Sequence, residues 1–98
     1  MPVVLIARWD GEVEDLKAAY NRAHRLIGEQ GGAPGELRHH CAIGDGALYV
    51  IGVWVSEEAV RTRFASREME EALTSVGFPS PKAAHLTILQ LHAIEPPL

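Results

Sequence analysis

Five histidines in 98 residues, at positions 24, 39, 40, 85 and 92, are the side chains here best suited to chemistry. Imidazole is the group most easily poised to move a proton near neutrality. His39 and His40 are neighbours in a stretch that reads as a strand, so they point to opposite faces and do not chelate one metal together. His39 and Cys41 share a face, but two ligands fall short of the three or four that a metal site needs. No metal and no cofactor is expected. Cys41 is expected to be buried beside Ile43, Leu48 and Val50, unlike the accessible, electropositive setting of a reactive thiolate. As the single cysteine it also excludes an intramolecular disulfide.

The elements that must position these groups follow from spacing. Residues 3–9, Val-Val-Leu-Ile-Ala-Arg-Trp, read as a strand apolar on both faces. Asp10-Gly11 breaks it, and Asp10 can cap a helix. Val13, Leu16, Tyr20, Ala23 and Ile27 recur at steps of three and four, the stripe of a helix over 12–29 that Gly31-Gly32 ends. Residues 36–55 read as a hairpin around Asp45-Gly46, a type I′ turn signal. Counting outward from that turn places Ile43 opposite Leu48, Cys41 opposite Val50, His39 opposite Gly52 and Leu37 opposite Trp54. Ser56-Glu57-Glu58 starts a second helix. Its apolar stripe slips between Phe64 and Met69, where Ser66 can cap a second segment, so a bent or broken helix is expected. Gly77, Pro79 and Pro81 stop it. Residues 85–94 read as a last strand.

His24 lies one turn beyond Tyr20 and flanks the buried stripe of the first helix. If the Trp54 face of the hairpin looks toward the helices, Tyr20, His24, His39 and Trp54 converge on one cavity between helix and sheet. An apolar pocket with a few polar groups is the usual form of a small-molecule site. There His24 and His39 are the candidate catalytic residues, as general base and hydrogen-bond donor toward a proton beside a carbonyl or on a phenol. Tyr20 and Trp54 are candidate ligand-binding residues. Gly52 opposite His39 marks either a close approach above the sheet or mere room for the imidazole. The alternative is that Tyr20 is core and His24 a solvated edge.

Arg8 sits mid-strand, and Gln90 and His92 share a face of the last strand. If the outer strands adjoin, Arg8 and His92 meet as an anchor for an anionic ligand, since guanidinium suits carboxylates. An intersubunit hydrogen-bond cluster is the equal alternative. Pairs such as Glu57/Arg61 at i,i+4 read as solvated helix faces. The Gly31–Gly35 loop follows a helix and precedes a strand, the reverse of a phosphate cradle.

Composition bounds the rest. A chain of 98 residues, 47% hydrophobic, reads as one domain over 1–98. A net charge of -4 gives no footprint for nucleic acid or an anionic membrane. The first residues are too short an apolar run for a signal, and no stretch approaches the about 20 apolar residues of a span, so a cytoplasmic protein is expected.

Strand, helix, strand, strand, helix, strand is the split βαβ, ferredoxin-like order: an α+β fold with a four-stranded antiparallel sheet and two helices on one face. Both sheet faces are apolar, with only one helical layer to cover them. A second copy of the sheet is the simplest cover, giving a homodimer closed into an α+β barrel. The passage Val53-Trp54-Val55-Ser56-Glu57-Glu58-Ala59, with Ala7-Arg8-Trp9-Asp10-Gly11 and Leu37-Arg38-His39-His40, resembles the dimeric α+β barrel superfamily. That superfamily includes antibiotic-biosynthesis-type monooxygenases, muconolactone isomerases, haem-degrading monooxygenases and small uncharacterised members, the last being most similar. The resemblance implies a small aromatic or enolic ligand and a cofactor-free oxygenation or isomerisation. Quinol monooxygenases of the superfamily carry an Asn on strand one; here the single Asn, Asn21, falls on the first helix. Haem-degrading members ligate iron through a His on the second helix; no His lies between Ser56 and Val76. The alternative to an enzyme is a non-catalytic dimeric binding or structural module.

Overall fold

The computed structural model describes all 98 residues: β1 (Val3–Asp10), α1 (Val13–Glu29), β2 (Glu36–Gly44), β3 (Ala47–Trp54), α2 (Glu57–Phe64), α3 (Arg67–Ser75), a short 3-10 turn (Pro81–Ala83) and β4 (His85–Gln90). The strands form one antiparallel sheet in the order β2-β3-β1-β4, the expected ferredoxin-like topology. Val3, Leu5, Ala7 and Trp9 of β1 are buried with Leu16, Ala23, Val60, Phe64 and Leu73 of the helices in one core. Leu5, Leu48 and Val60 are fully enclosed. Each such side chain stabilises the fold by about 1.5–3 kcal/mol through burial alone, so this contact fixes the face on which the helices lie.

Helix ends are set by local hydrogen bonds. The cap of α1 is Glu12, whose carboxylate accepts from the backbone N–H groups of Glu14 and Asp15. Asp10, expected as the cap, is instead the last residue of β1, because its backbone still pairs with Ala47. Ser56 caps α2 and Ser66 caps α3, each accepting from an N–H three residues on. The expected break at the stripe slip is therefore complete, and the second helix becomes two. The last strand ends at Gln90, earlier than expected. Leu91 N–H donates to the Pro2 carbonyl, and β1 offers no partner beyond it.

The hairpin register is as counted from Gly44–Ala47 as far as His39 opposite Gly52. Asp45 and Gly46 both take positive φ, as a type I′ turn requires. The register then shifts between Glu36 and Arg38, so that Glu36, not Leu37, pairs with Trp54. One extra residue in a strand reverses side-chain parity beyond it. Leu37 is thereby turned out to solvent, and Glu36 takes the face assigned to it. Gly52 permits this: a Cβ there would lie 2.8 Å from the Arg38 carbonyl oxygen and 3.2 Å from Glu36 Oε2.

The second sheet face carries Val4 and Ile6 of β1, Tyr49, Ile51 and Val53 of β3, and Leu89 of β4. No helix covers it. The tail beyond β4 crosses one end, where Arg38 on the opposite edge donates to the carbonyls of Pro96 and Pro97 at 3.0 and 3.2 Å. No helix is long and apolar enough to cross a membrane.

The bulge predicts the outcome of one substitution. Gly52→Ala sets a methyl against backbone that cannot swing aside, an overpacking that costs about 1–3 kcal/mol. Urea unfolding reads it; an unchanged midpoint would mean that the bulge is not held by this contact.

Candidate functional site

Even-numbered residues of β3 share the helix side of the sheet with odd-numbered residues of β1 and with His39 and Cys41 of β2. The Trp54 face therefore looks toward the helices. Between this face, α1 and the α2–α3 pair lies a cavity of about 170 Å³. Its walls are mainly apolar, with Leu5, Trp9, Ile27, Phe64, Met69 and Phe78 among them. Besides Trp9, whose indole N–H donates to the Ser80 carbonyl, the lining residues with polar side-chain groups are Tyr20, His24, Glu36, His39, Trp54 and Arg63. Tyr20, His24, His39 and Trp54 are thus brought together as the spacing implied. Glu36 and Arg63 were not singled out by the sequence reading. For Glu36 the signal was Gly52, whose missing side chain marked a close approach without saying by what. For Arg63 the spacing gave no signal.

A continuous proton path runs along the cavity wall. Glu36 Oε2 lies 2.8 Å from His39 Nδ1, and His39 Nε2 lies 2.6 Å from the Tyr20 hydroxyl. A carboxylate only accepts, so Nδ1 carries its hydrogen toward Glu36, and Nε2 of the neutral ring accepts from Tyr20. Both nitrogens of His39 are engaged. Any proton it takes from a ligand must arrive through the Tyr20 oxygen. His24 stacks on Tyr20, with ring centres 5.6 Å apart, and lies 5.4 Å from His39. It has no hydrogen-bond partner within the chain and is exposed, as a solvated helix edge would be, while still lining the cavity.

Burial pushes the Tyr20 phenol up to about 12, with the neighbouring Cys41 and Glu36 adding to the rise. The phenol thus stays protonated throughout the physiological range and serves as a donor and relay. Partial desolvation on the side facing Tyr20 also raises the Cys41 thiol, opposed in part by its hydrogen bond with Tyr20. Cys41 is exposed, not buried as expected, because β2 is the sheet edge. Its raised thiol is still the opposite of an activated nucleophile.

The expected meeting of Arg8 with His92 does not occur. Arg8 is on the second face, opposite Tyr49 and His85, with its Nε 3.2 Å from Asp10 Oδ1 in an ion pair without hydrogen-bond geometry. His85 Nε2 lies 3.6 Å from the other Asp10 oxygen. Arg8 therefore meets Asp10 and His85, not Gln90 and His92. Gln90 pairs with Val3 at the far end of β1, and His92 lies exposed beyond the strand. The early end of β4 and the antiparallel register separate them. Neither Arg8 nor His92 lines the cavity. His, Cys, Asp and Glu side chains form no group of three or more placed to hold a metal ion.

The Tyr20 environment has a pH signature. A folded pKa of about 12 against an ordinary 10.0 means that the folded state holds this proton more tightly than the unfolded chain. The contribution is complete below pH 10.0 and is lost as pH rises toward about 12. Unfolding free energy is expected to fall across that interval, and less steeply in Tyr20→Phe. Equal slopes in the two proteins would show that the phenol is not held in this way.

No family model and no curated protein matches the chain. Solved structures do. SnoaB, a cofactor-independent oxygenase from Streptomyces nogalater, is 17% identical over 98% of both chains with a TM-score of 0.65. Rv0793 from Mycobacterium tuberculosis is 18% identical, over 97% of this chain and 99% of that one, with a TM-score of 0.65. A conserved protein from Methanosarcina mazei Go1 is 15% identical over 92% of both, also at 0.65. Identities this low establish architecture alone. The chain shares with these structures the ferredoxin-like fold.

Proposed function

We propose that this chain binds a small aromatic or enolic molecule between α1 and the sheet and withdraws a proton from it without a cofactor. The observation that carries this reading is the Glu36–His39–Tyr20 chain opening onto an apolar cavity. A ligand hydroxyl or enol donates to the Tyr20 oxygen as Tyr20 gives its own proton to His39, and Glu36 stabilises the imidazolium that forms. Apolar walls strengthen each of these interactions by excluding water. His24, with free nitrogens, returns or removes the second proton. Trp54 offers a flat face on which a ring stacks.

An anion formed in this way has two outcomes. Protonation at carbon, in place of the oxygen that lost the proton, gives an isomerisation. Electron donation to dioxygen gives an oxygenation, in which a ring methylene becomes a carbonyl and the second oxygen atom leaves as water with its two hydrogens. The likeness to a cofactor-independent oxygenase supports the second class. Engagement of both His39 nitrogens favours the other reading, a dimeric binding module that holds its ligand without turning it over.

The test is titration with quinols, enols and aromatic lactones, followed by oxygen consumption. Saturable binding and turnover are expected, with His39→Gln lowering the rate by about 10²–10⁴-fold, the usual worth of a general base. Binding that survives with no turnover selects the module. Absence of any binding at millimolar concentration sinks both readings.

We also propose that the working unit is a homodimer closed through the second sheet face. Val4, Ile6, Tyr49 and Ile51 are only half-buried there, and no helix reaches them. Ile6→Glu is expected to yield a folded monomer by sedimentation equilibrium. A wild-type chain that sediments as a monomer would rule the dimer out.

A further inference from the structure

Arg63, in the last turn of α2, is 7% exposed, the one charged residue buried in this chain. Its ionic partner is Glu68, at 3.6 Å from Nη1, and that carboxylate is 66% exposed, so water screens the pair. Nη2 is buried and has no hydrogen-bond partner. A buried guanidinium left short of acceptors is costly, because its desolvation is not repaid within the chain. Arg63 also lines the cavity. The indole Nε1 of Trp54, on the same lining, is a second buried donor without a partner. Glu36, the carboxylate that shares this cavity, is taken by His39 at 2.8 Å and has no ion pair with Arg63. Two residues that line the cavity thus carry unfilled donors, one of them cationic, among mainly apolar walls.

We infer that Arg63 anchors an anionic group of the ligand, and that the ligand class is an aromatic ring bearing a carboxylate. Guanidinium offers paired N–H donors matched to the two oxygens of a carboxylate. With Nη1 turned toward Glu68, Nη2 remains for the ligand, and the Trp54 N–H is available to a further acceptor on it. This inference rests on the reading of the cavity as a small-molecule site and narrows what enters it.

The probes are benzoate and benzamide, which share ring and shape and differ in charge, titrated by calorimetry into the wild type and into Arg63→Met. Methionine has nearly the volume of the arginine stem and removes a buried charge, a change that cores often accept without loss. Benzoate is expected to bind the wild type about tenfold or more tighter than benzamide, the worth of a charge-assisted hydrogen bond. Arg63→Met is expected to abolish that preference, because only the benzoate arm draws on the guanidinium charge. In isotope-labelled wild type, the Arg63 guanidinium resonance is expected to shift more with benzoate than with benzamide at saturation of each. This measurement decides the matter if the variant fails to fold. Equal binding of the two probes, or a preference that survives in Arg63→Met, overturns the anchor and leaves the cavity reading standing. Binding of neither probe overturns the anchor together with the cavity reading.

Discussion

The Asp45-Gly46 turn fixes the parity of the β2–β3 hairpin, and parity decides which side of the sheet each side chain occupies. A slip by one residue would exchange the faces. Leu48, Val50 and Trp54 would then meet solvent, and Tyr49, Ile51 and Val53 would meet the helices. The positive φ angles at Asp45 and Gly46 lock the two-residue loop. Burial of Leu48 against the helices reinforces the same choice. Through this register His39 reaches Tyr20 on α1, and the hairpin contributes a wall of the cavity instead of an inert edge.

The bulge at Leu37 makes one departure from that parity, at the place where chemistry requires it. Regular alternation would set Glu36 on the second face with Arg38 and His40, away from His39. The extra residue returns its carboxylate to the helix side, 2.8 Å from the imidazole. Gly52 is the structural condition for this, since the bulged carbonyl at Arg38 occupies the space of a side chain. One glycine therefore serves both the backbone geometry and the orientation of the imidazole. Arg38 is also engaged from the other side by the tail carbonyls, so the same stretch of β2 joins the two faces of the sheet.

The cavity combines an apolar lining with polar groups of two kinds. Tyr20, His39 and Glu36 satisfy one another; that network sets the tautomer of the ring, while burial keeps the phenol protonated. Arg63 and Trp54 retain donors with no acceptor in the chain. A folded protein of this size has only a modest core to offset such losses. Their place beside a cavity ties the cost to what the cavity receives.

Periodicity alone determined the element order, the ferredoxin-like topology and the hairpin register from the turn to His39. These follow from spacings of 2 and 3.6 residues and from a turn whose backbone angles few residues accept. Tyr20, His24, His39 and Trp54 converge because the packed sheet turns its Trp54 face to the helices, a choice that spacing left open. The alternation of apolar residues also showed a sheet face without helical cover. Tertiary structure alone decided the rest. A bulge is set by the balance of packing around Gly52, so the return of Glu36 to the site could not be counted from the turn. The end of β4 depended on where β1 runs out of partners, which removed His92 from any meeting with Arg8. The burial of Arg63 depended on how α2 seats on the sheet. On its own helix it reads as one more charge among charges, and only the packed fold leaves its Nη2 without a partner.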